Sequence, residues 1–149
     1  LKPLRKNEIM RIELKRVDDD FQMEARDENG HAVSMDAGEN IGGHNRGVRP
    51  MQMLLMGLGG CSAVDILLIL KKQKQEVSNF RIQIDGEREQ GREPSLWEQV
   101  NLVFYFEGKV DPEKAQRAVD LSMKKYCSVA ATLEKAGTRM NYSVKVIPS

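Results

Sequence analysis

The sequence predicts an α+β protein in which antiparallel sheets wrap around a long central helix. Three observations carry this expectation. Apolar and polar residues alternate in short segments on both sides of the chain's middle, the two-residue period of a half-buried strand. Residues 50–75 form one long run of dense apolar content with no proline after Pro50. The elements follow in the order strands, long helix, strands, helices, strand, which is an α+β pattern.

Residues 9–36 read as a strand meander. Met10, Ile12 and Leu14 alternate with polar neighbours, Asp18, Asp19 and Asp20 mark a turn, and Phe21, Met23 and Ala25 alternate again. Asn29-Gly30, a strong hairpin signal, turns the chain into a strand through Val33 and Met35. Residues 37–49, AGENIGGHNRGVR, carry four glycines and no apolar period, so they read as a loop. Pro50 suits the first turn of the central helix. Lys71, Lys72 and Lys74 lie near its end, where the helix dipole favours cations. Phe80, Ile82 and Ile84 alternate, as do Val100, Leu102, Phe104 and Phe106, giving two partner strands within 79–107. Asp111-Pro112 opens a helix as cap and first turn. Ala115, Ala118, Val119, Ser122, Met123 and Tyr126 then fall on one helical face. A short helix from about Ser128 to Lys135 is ended by Gly137, so helices occupy 111–136. Met140, Tyr142, Val144 and Val146 make a last strand over 139–147.

The chain has 149 residues, 40% hydrophobic and 30% charged, enough for one domain with a core and ordinary for a soluble globular protein. With 23 basic against 22 acidic residues the net charge is +1, so nothing asks for nucleic acid or an anionic membrane. There are no repeats and no linker, and 1–149 reads as a single domain. No charged-then-apolar leader stands at the start, so no signal peptide is expected. Residues 51–70 have the length of a membrane span. Gln52 and Asp65 inside the run, and basic residues flanking both ends, argue for a core helix instead. A helix apolar nearly all round must be covered all round, and the remaining strands and helices suffice only if a second subunit contributes. A homodimer is therefore expected. Gly57 and Gly60 share a face of this helix. Either another helix's backbone packs there, which spacing alone favours, or the small residues make room beside Cys61 for a substrate or a second cysteine.

The two cysteines, Cys61 and Cys127, are too few for a secreted disulfide framework and point to a reducing compartment, the cytoplasm. With only His31 and His44 beside them no zinc-ligand spacing appears, so neither a metal nor another cofactor is expected. By pattern, Cys61 is either a small core residue or a nucleophile. It lies about three turns into the helix, beyond the reach of the dipole, so a reactive thiolate there needs a separate cation. Cys127 stands at or near the start of the last helix. It is either a capping or core residue, or a thiolate favoured by unpaired backbone N–H groups.

The segments RPMQMLLMGLGGCSAVDILLILKKQKQ and DLSMKKYCSVAATLEKAGT resemble the two signature segments of the OsmC/Ohr family, the osmotically inducible and organic-hydroperoxide-resistance proteins. The words GGCSA and KYCSVA are closer to its YhfA-like bacterial branch. The resemblance implies an intertwined homodimer whose long central helices are wrapped by sheets from both subunits. It also implies thiol peroxidation, in which Cys61 attacks an organic hydroperoxide and becomes a sulfenic acid that condenses with Cys127 to a disulfide. A dithiol reductant, lipoyl-type in some members, then resets the pair. Active members hold the thiolate with an arginine and the arginine with a glutamate. Here Pro50-Met51-Gln52 stands where the family usually has its acid, and Gln52 can hydrogen-bond a guanidinium without neutralising it. Arg46 and Arg49, in the loop before the helix, are either the thiolate-stabilising cations or solvated loop charges. His44 is a further loop candidate. The missing acid keeps a second function open: a homodimeric binding protein for an apolar small molecule, with little or no catalysis.

Overall fold

The computed structural model describes residues 9–148; the expected absence of a leader falls partly on residues 1–8, outside the described residues. The chain divides into two compact units, one up to Met53 and one from Leu54 onward.

In the first unit β1 (Glu13–Arg16), β2 (Met23–Arg26) and β3 (Ala32–Met35) form the expected antiparallel meander in that order. Aspartates build both of its turns, because a short carboxylate can accept from the backbone two to four residues on. Asp18 Oδ1 accepts from the N–H groups of Asp20 and Gln22, at 2.9 and 3.0 Å. Asp27 Oδ1 does the same for Asn29 and His31, both at 2.9 Å. The second turn is thus organised from Asp27, with Gly30 supplying the left-handed step at φ +83°. Leu14, Ala25 and Val33 stand in register across the three strands and so share one face. Leu14 and Val33 are exposed in the single chain.

The glycine-rich loop 37–49 contains a single 3-10 turn, Glu39–Ile41, and returns to pair Val48 with Met35 in a parallel bridge. Its backbone presses so closely on itself that a Cβ on Gly43 would collide with the Ala37 carbonyl. Asp36 ties the loop down. It is 3% exposed, and its carboxylate accepts from Ala37 N at 2.7 Å, Arg46 N at 3.0 Å and His44 N at 3.1 Å. These N–H groups, Arg46's above all, hold the carboxyl below its ordinary value of 3.8. A lowered carboxyl contributes stability that is present above the unfolded value and lost as pH falls through the folded one. Asp36→Ala is expected to lower the melting temperature by several degrees at neutral pH. The gap to the parent protein should close as pH falls below 3.8, in thermal melts run across pH.

Helix α1 (Pro50–Lys72) stops three residues short of the expected end, where Lys74 turns left-handed at φ 57° and the Lys74 and Gln75 amides return to the Lys71 and Leu70 carbonyls. By length and composition alone it could cross a membrane, but Leu58, Ile66 and Leu70 are fully buried as core residues.

The second unit also holds the strands β4 (Glu76–Arg88), β5 (Trp97–Lys109) and β6 (Arg139–Pro148), which form a sheet in that order. The central strand β5 buries Val100, Leu102, Phe104 and Phe106 at every second position. Phe106 stacks on Phe80 with centroids 4.8 Å apart, and Phe104 meets Tyr142 edge-on at 6.4 Å. β4 and β5 pair antiparallel, but β6 joins β5 in parallel. The sheet is therefore mixed, a correction to the expectation of antiparallel pairing throughout. Alternation reports which face a residue takes and not which way its strand runs. The parallel pair follows from the helical crossover between β5 and β6, which such a pair requires.

That crossover begins with α2 (Pro112–Leu121), capped as expected: Asp111 Oδ1 accepts from Glu113 N at 2.9 Å and Pro112 occupies the first turn. A π-helical turn, Ser122–Tyr126, follows, and α3 (Ser128–Lys135) closes the crossover. The predicted apolar face holds through Met123 and fails at Tyr126, which is 47% exposed. The wider π turn rotates the later side chains off the α-helical stripe.

Candidate active site

The structure brings Cys61 and Cys127 together. Cys61 sits in the middle of α1, partly exposed. Cys127 is 3% exposed, and both are free thiols. Cys127 caps the N-terminus of α3, its sulfur accepting from Ala130 N at 3.4 Å. The same thiol donates toward the Leu58 carbonyl on α1 at 4.0 Å, and the Cys61 thiol is near enough to interact with it. Burial pushes the Cys127 thiol up to about 11. The amides of Ala130 and Val129 pull the other way, while the neighbouring Cys61 thiol adds to the rise. The helix start thus does not make Cys127 a thiolate: desolvation outweighs the backbone N–H groups.

Two polar residues beside the cysteines carried no distinctive sequence signal. Ser122, fully buried, lies 3.1 Å through its hydroxyl from Asp65 Oδ2 and 3.4 Å from the Ser62 carbonyl. Ser62 is itself buried, and its hydroxyl donates back to the Leu58 and Gly59 carbonyls at 3.0 and 3.1 Å. In the sequence Ser122 is one small residue within an apolar stripe, and Asp65 is a charge inside an oily helix. The available signal was spacing: Asp65 follows Cys61 by four residues and so shares its helix face.

The loop candidates lie in the first unit. Arg46 is exposed and anchored through its backbone, its N–H to Asp36 and its carbonyl accepting from Ser34 Oγ at 3.0 Å. Arg49 turns its guanidinium onto its own loop, donating to the Gly47 carbonyl at 3.2 Å. Gln52 accepts from the Arg49 backbone N–H at 2.9 Å. This is the return arm of a capping box, with Arg49 preceding the first turn and Gln52 as its third residue. Gln52 therefore meets the backbone of Arg49, where the sequence suggested a bond to a guanidinium. His44 Nε2 donates to Asp20 Oδ2 at 2.7 Å. This contact raises His44 above its ordinary value of 6.5. One ligand atom each from Asp18, Asp20 and His44 lie within 4.8 Å of one another, a cluster the sequence did not suggest.

A model of the family described as OsmC-like protein matches residues 43–143. Protein YhfA of Escherichia coli strain K12 is 41% identical over 119 residues, covering 79% of this chain and 84% of that protein. Among solved structures, a hypothetical protein from Aquifex aeolicus VF5 is similar with a TM-score of 0.82 and 31% identity, over 96% of this chain and 99% of that one. An organic hydroperoxide resistance protein from Elizabethkingia anophelis has a TM-score of 0.71 at 16% identity, over 97% and 100% of the two chains. This last is a likeness of fold alone.

Proposed function

The chain belongs to the OsmC-like family, and from that premise we propose that it is a homodimeric thiol peroxidase that reduces organic hydroperoxides, with Cys61 attacking and Cys127 resolving. The observation that carries the proposal is the pairing of a half-open free thiol on α1 with a buried one at the start of α3, near enough that each feels the other. Attack on a peroxide needs a thiolate, and Cys127 is held as the thiol. In the resolving step the Cys127 thiol must give up its proton as its sulfur attacks. Cys127 sulfur bonds to the sulfenic sulfur of Cys61, the S–O bond breaks, and hydroxide leaves with Cys127's proton as water. A dithiol, such as a lipoyl group, would return both thiols by exchange. A reducing compartment, the cytoplasm, suits this cycle.

The dimer is supported by what the single chain leaves open. Leu54, Val64, Leu67 and Leu68 are exposed on α1, and so is the meander face of Leu14 and Val33. Apolar surface of this extent marks an interface. Arg46 and Arg49 are the candidates for a cation at Cys61, and Gln52 is taken up by the Arg49 backbone N–H.

A second reading has its own observation. An apolar cleft of about 370 Å³ in the first unit is lined by Leu14, Phe21, Met23, Met35, Ile41 and Pro50, a size that suits a small apolar ligand. One measurement separates the two. Intact mass after one equivalent of cumene hydroperoxide should fall by two hydrogen atoms per chain. In Cys127→Ser it should instead rise by one oxygen atom. An unchanged mass in the parent protein would leave the binding reading and remove the peroxidase.

A further inference from the structure

We propose that Asp65 and Ser122 are positioning residues that clamp the turn presenting Cys127 onto the helix carrying Cys61, and so set the rate of the resolving step. The inference rests on the two-cysteine reading above.

Ser122 holds the π turn at both ends. It is fully buried, and its hydroxyl reaches Asp65 Oδ2 at 3.1 Å and the Ser62 carbonyl at 3.4 Å, both on α1. Its carbonyl accepts the Cys127 N–H at 2.8 Å, the bond that closes the turn. One residue therefore fixes the start of the turn against α1 through its side chain and the end of the turn through its backbone. Asp65 stands one helical turn beyond Cys61 on the same face. The distance between the sulfurs is thereby referred to a bond four residues along the same helix. A carboxylate is a stronger acceptor than the carbonyl beside it, so Asp65 is the firmer anchor of the two. A π turn is an uncommon helical form that recurs at functional sites. Neither Asp65 nor Ser122 gives or takes a proton in this account. Resolution forms the S–S bond, breaks the S–O bond and releases water using Cys127's own proton.

The test uses Ser122→Ala, Asp65→Ala and Asp65→Asn in the full chain, with two readouts. The first is a single turnover with cumene hydroperoxide, following hydroperoxide consumption and, separately, disappearance of sulfenic acid by dimedone trapping. The second is the equilibrium of the Cys61–Cys127 disulfide with dithiothreitol, which needs no peroxide chemistry. Consumption in the first turnover is expected to stay within about twofold of the parent. Resolution is expected to slow by about tenfold or more, as a small misplacement of reacting groups does. The disulfide equilibrium constant should fall by a similar factor. Asp65→Asn, which keeps an acceptor oxygen, should fall between the parent and Asp65→Ala. Parent-like resolution and equilibrium in the folded Ser122 and Asp65 variants would overturn the clamp. So would equal slowing of both steps, which would mark general damage. Should Ser122→Ala fail to fold, the two Asp65 variants carry the same test. A parent protein that consumes no hydroperoxide, with variants that still shift the disulfide equilibrium, would remove the peroxidase reading and keep the clamp.

Discussion

Cys61→Ser is expected to abolish consumption of organic hydroperoxide, a fall of more than about 10³-fold, because the nucleophile itself is gone. Cys127→Ser is expected to consume one equivalent per chain at the parent rate and then stop. The asymmetry follows from the environment of the two sulfurs. Cys127 is 3% exposed, and burial pushes its thiol up to about 11, which disfavours its thiolate at neutral pH. Cys61 is the partly exposed partner on α1. In the first step Cys61 thiolate bonds to the terminal peroxide oxygen, the O–O bond breaks, and the alkoxide leaves as an alcohol after taking a proton. The trapped sulfenic acid in Cys127→Ser should react with dimedone, whereas the parent protein should pass to a disulfide and not accumulate the adduct. Hydroperoxide consumption that survives Cys61→Ser, or that is lost in Cys127→Ser before the first equivalent, would reverse or remove the assigned order.

Val64→Asp is expected to split the dimer, raising its dissociation constant by on the order of 10³-fold, about 4 kcal/mol. Val64 is 68% exposed in the single chain, although it lies on the most apolar helix of the protein. Leu54, Gly57, Gly60, Val64, Leu67 and Leu68 recur at three- and four-residue intervals and make one stripe, large at its ends and bare in its middle. A Cβ added to Gly57 or Gly60 meets nothing within 4 Å in the single chain. Gly60→Ala would therefore stabilise a lone helix by about 1 kcal/mol through propensity alone. In the dimer the same methyl group is expected to hold two crossing helices apart and weaken association. Sedimentation and light scattering should show the parent protein as a dimer well below about 1 µM. A folded monomer under those conditions would exclude the intertwined arrangement. A Gly60→Ala protein that is both more stable and equally dimeric would exclude a crossing at the glycines.

What the sequence by itself determined was everything that depends on local chemistry and periodicity. The alternation in Val100–Phe106 and the cap at Asp111-Pro112 named β5 and the start of α2, because strand period and capping geometry are set within a few residues. The two cysteine segments were specific enough to name the family. The aspartates of the first meander turn were visible as turn residues, although only the structure shows which amides Asp18 binds; at the second turn the sequence pointed to Asn29-Gly30, and the structure adds Asp27. Tertiary structure alone decided the direction of β6, since a strand's pattern is the same read either way and the helical crossover sets its sense. It decided that Tyr126 leaves the helical face, because a π turn adds a residue that no α-helical template contains. It gave Gln52 to the Arg49 backbone, since an amide side chain meets a guanidinium or an N–H group equally well and only the start of the helix chooses. The thiol chemistry of Cys127 was also decided there. Its place at a helix start was legible and argues for a thiolate, but desolvation depends on what packs around the sulfur, and residues far apart in the chain supply that packing.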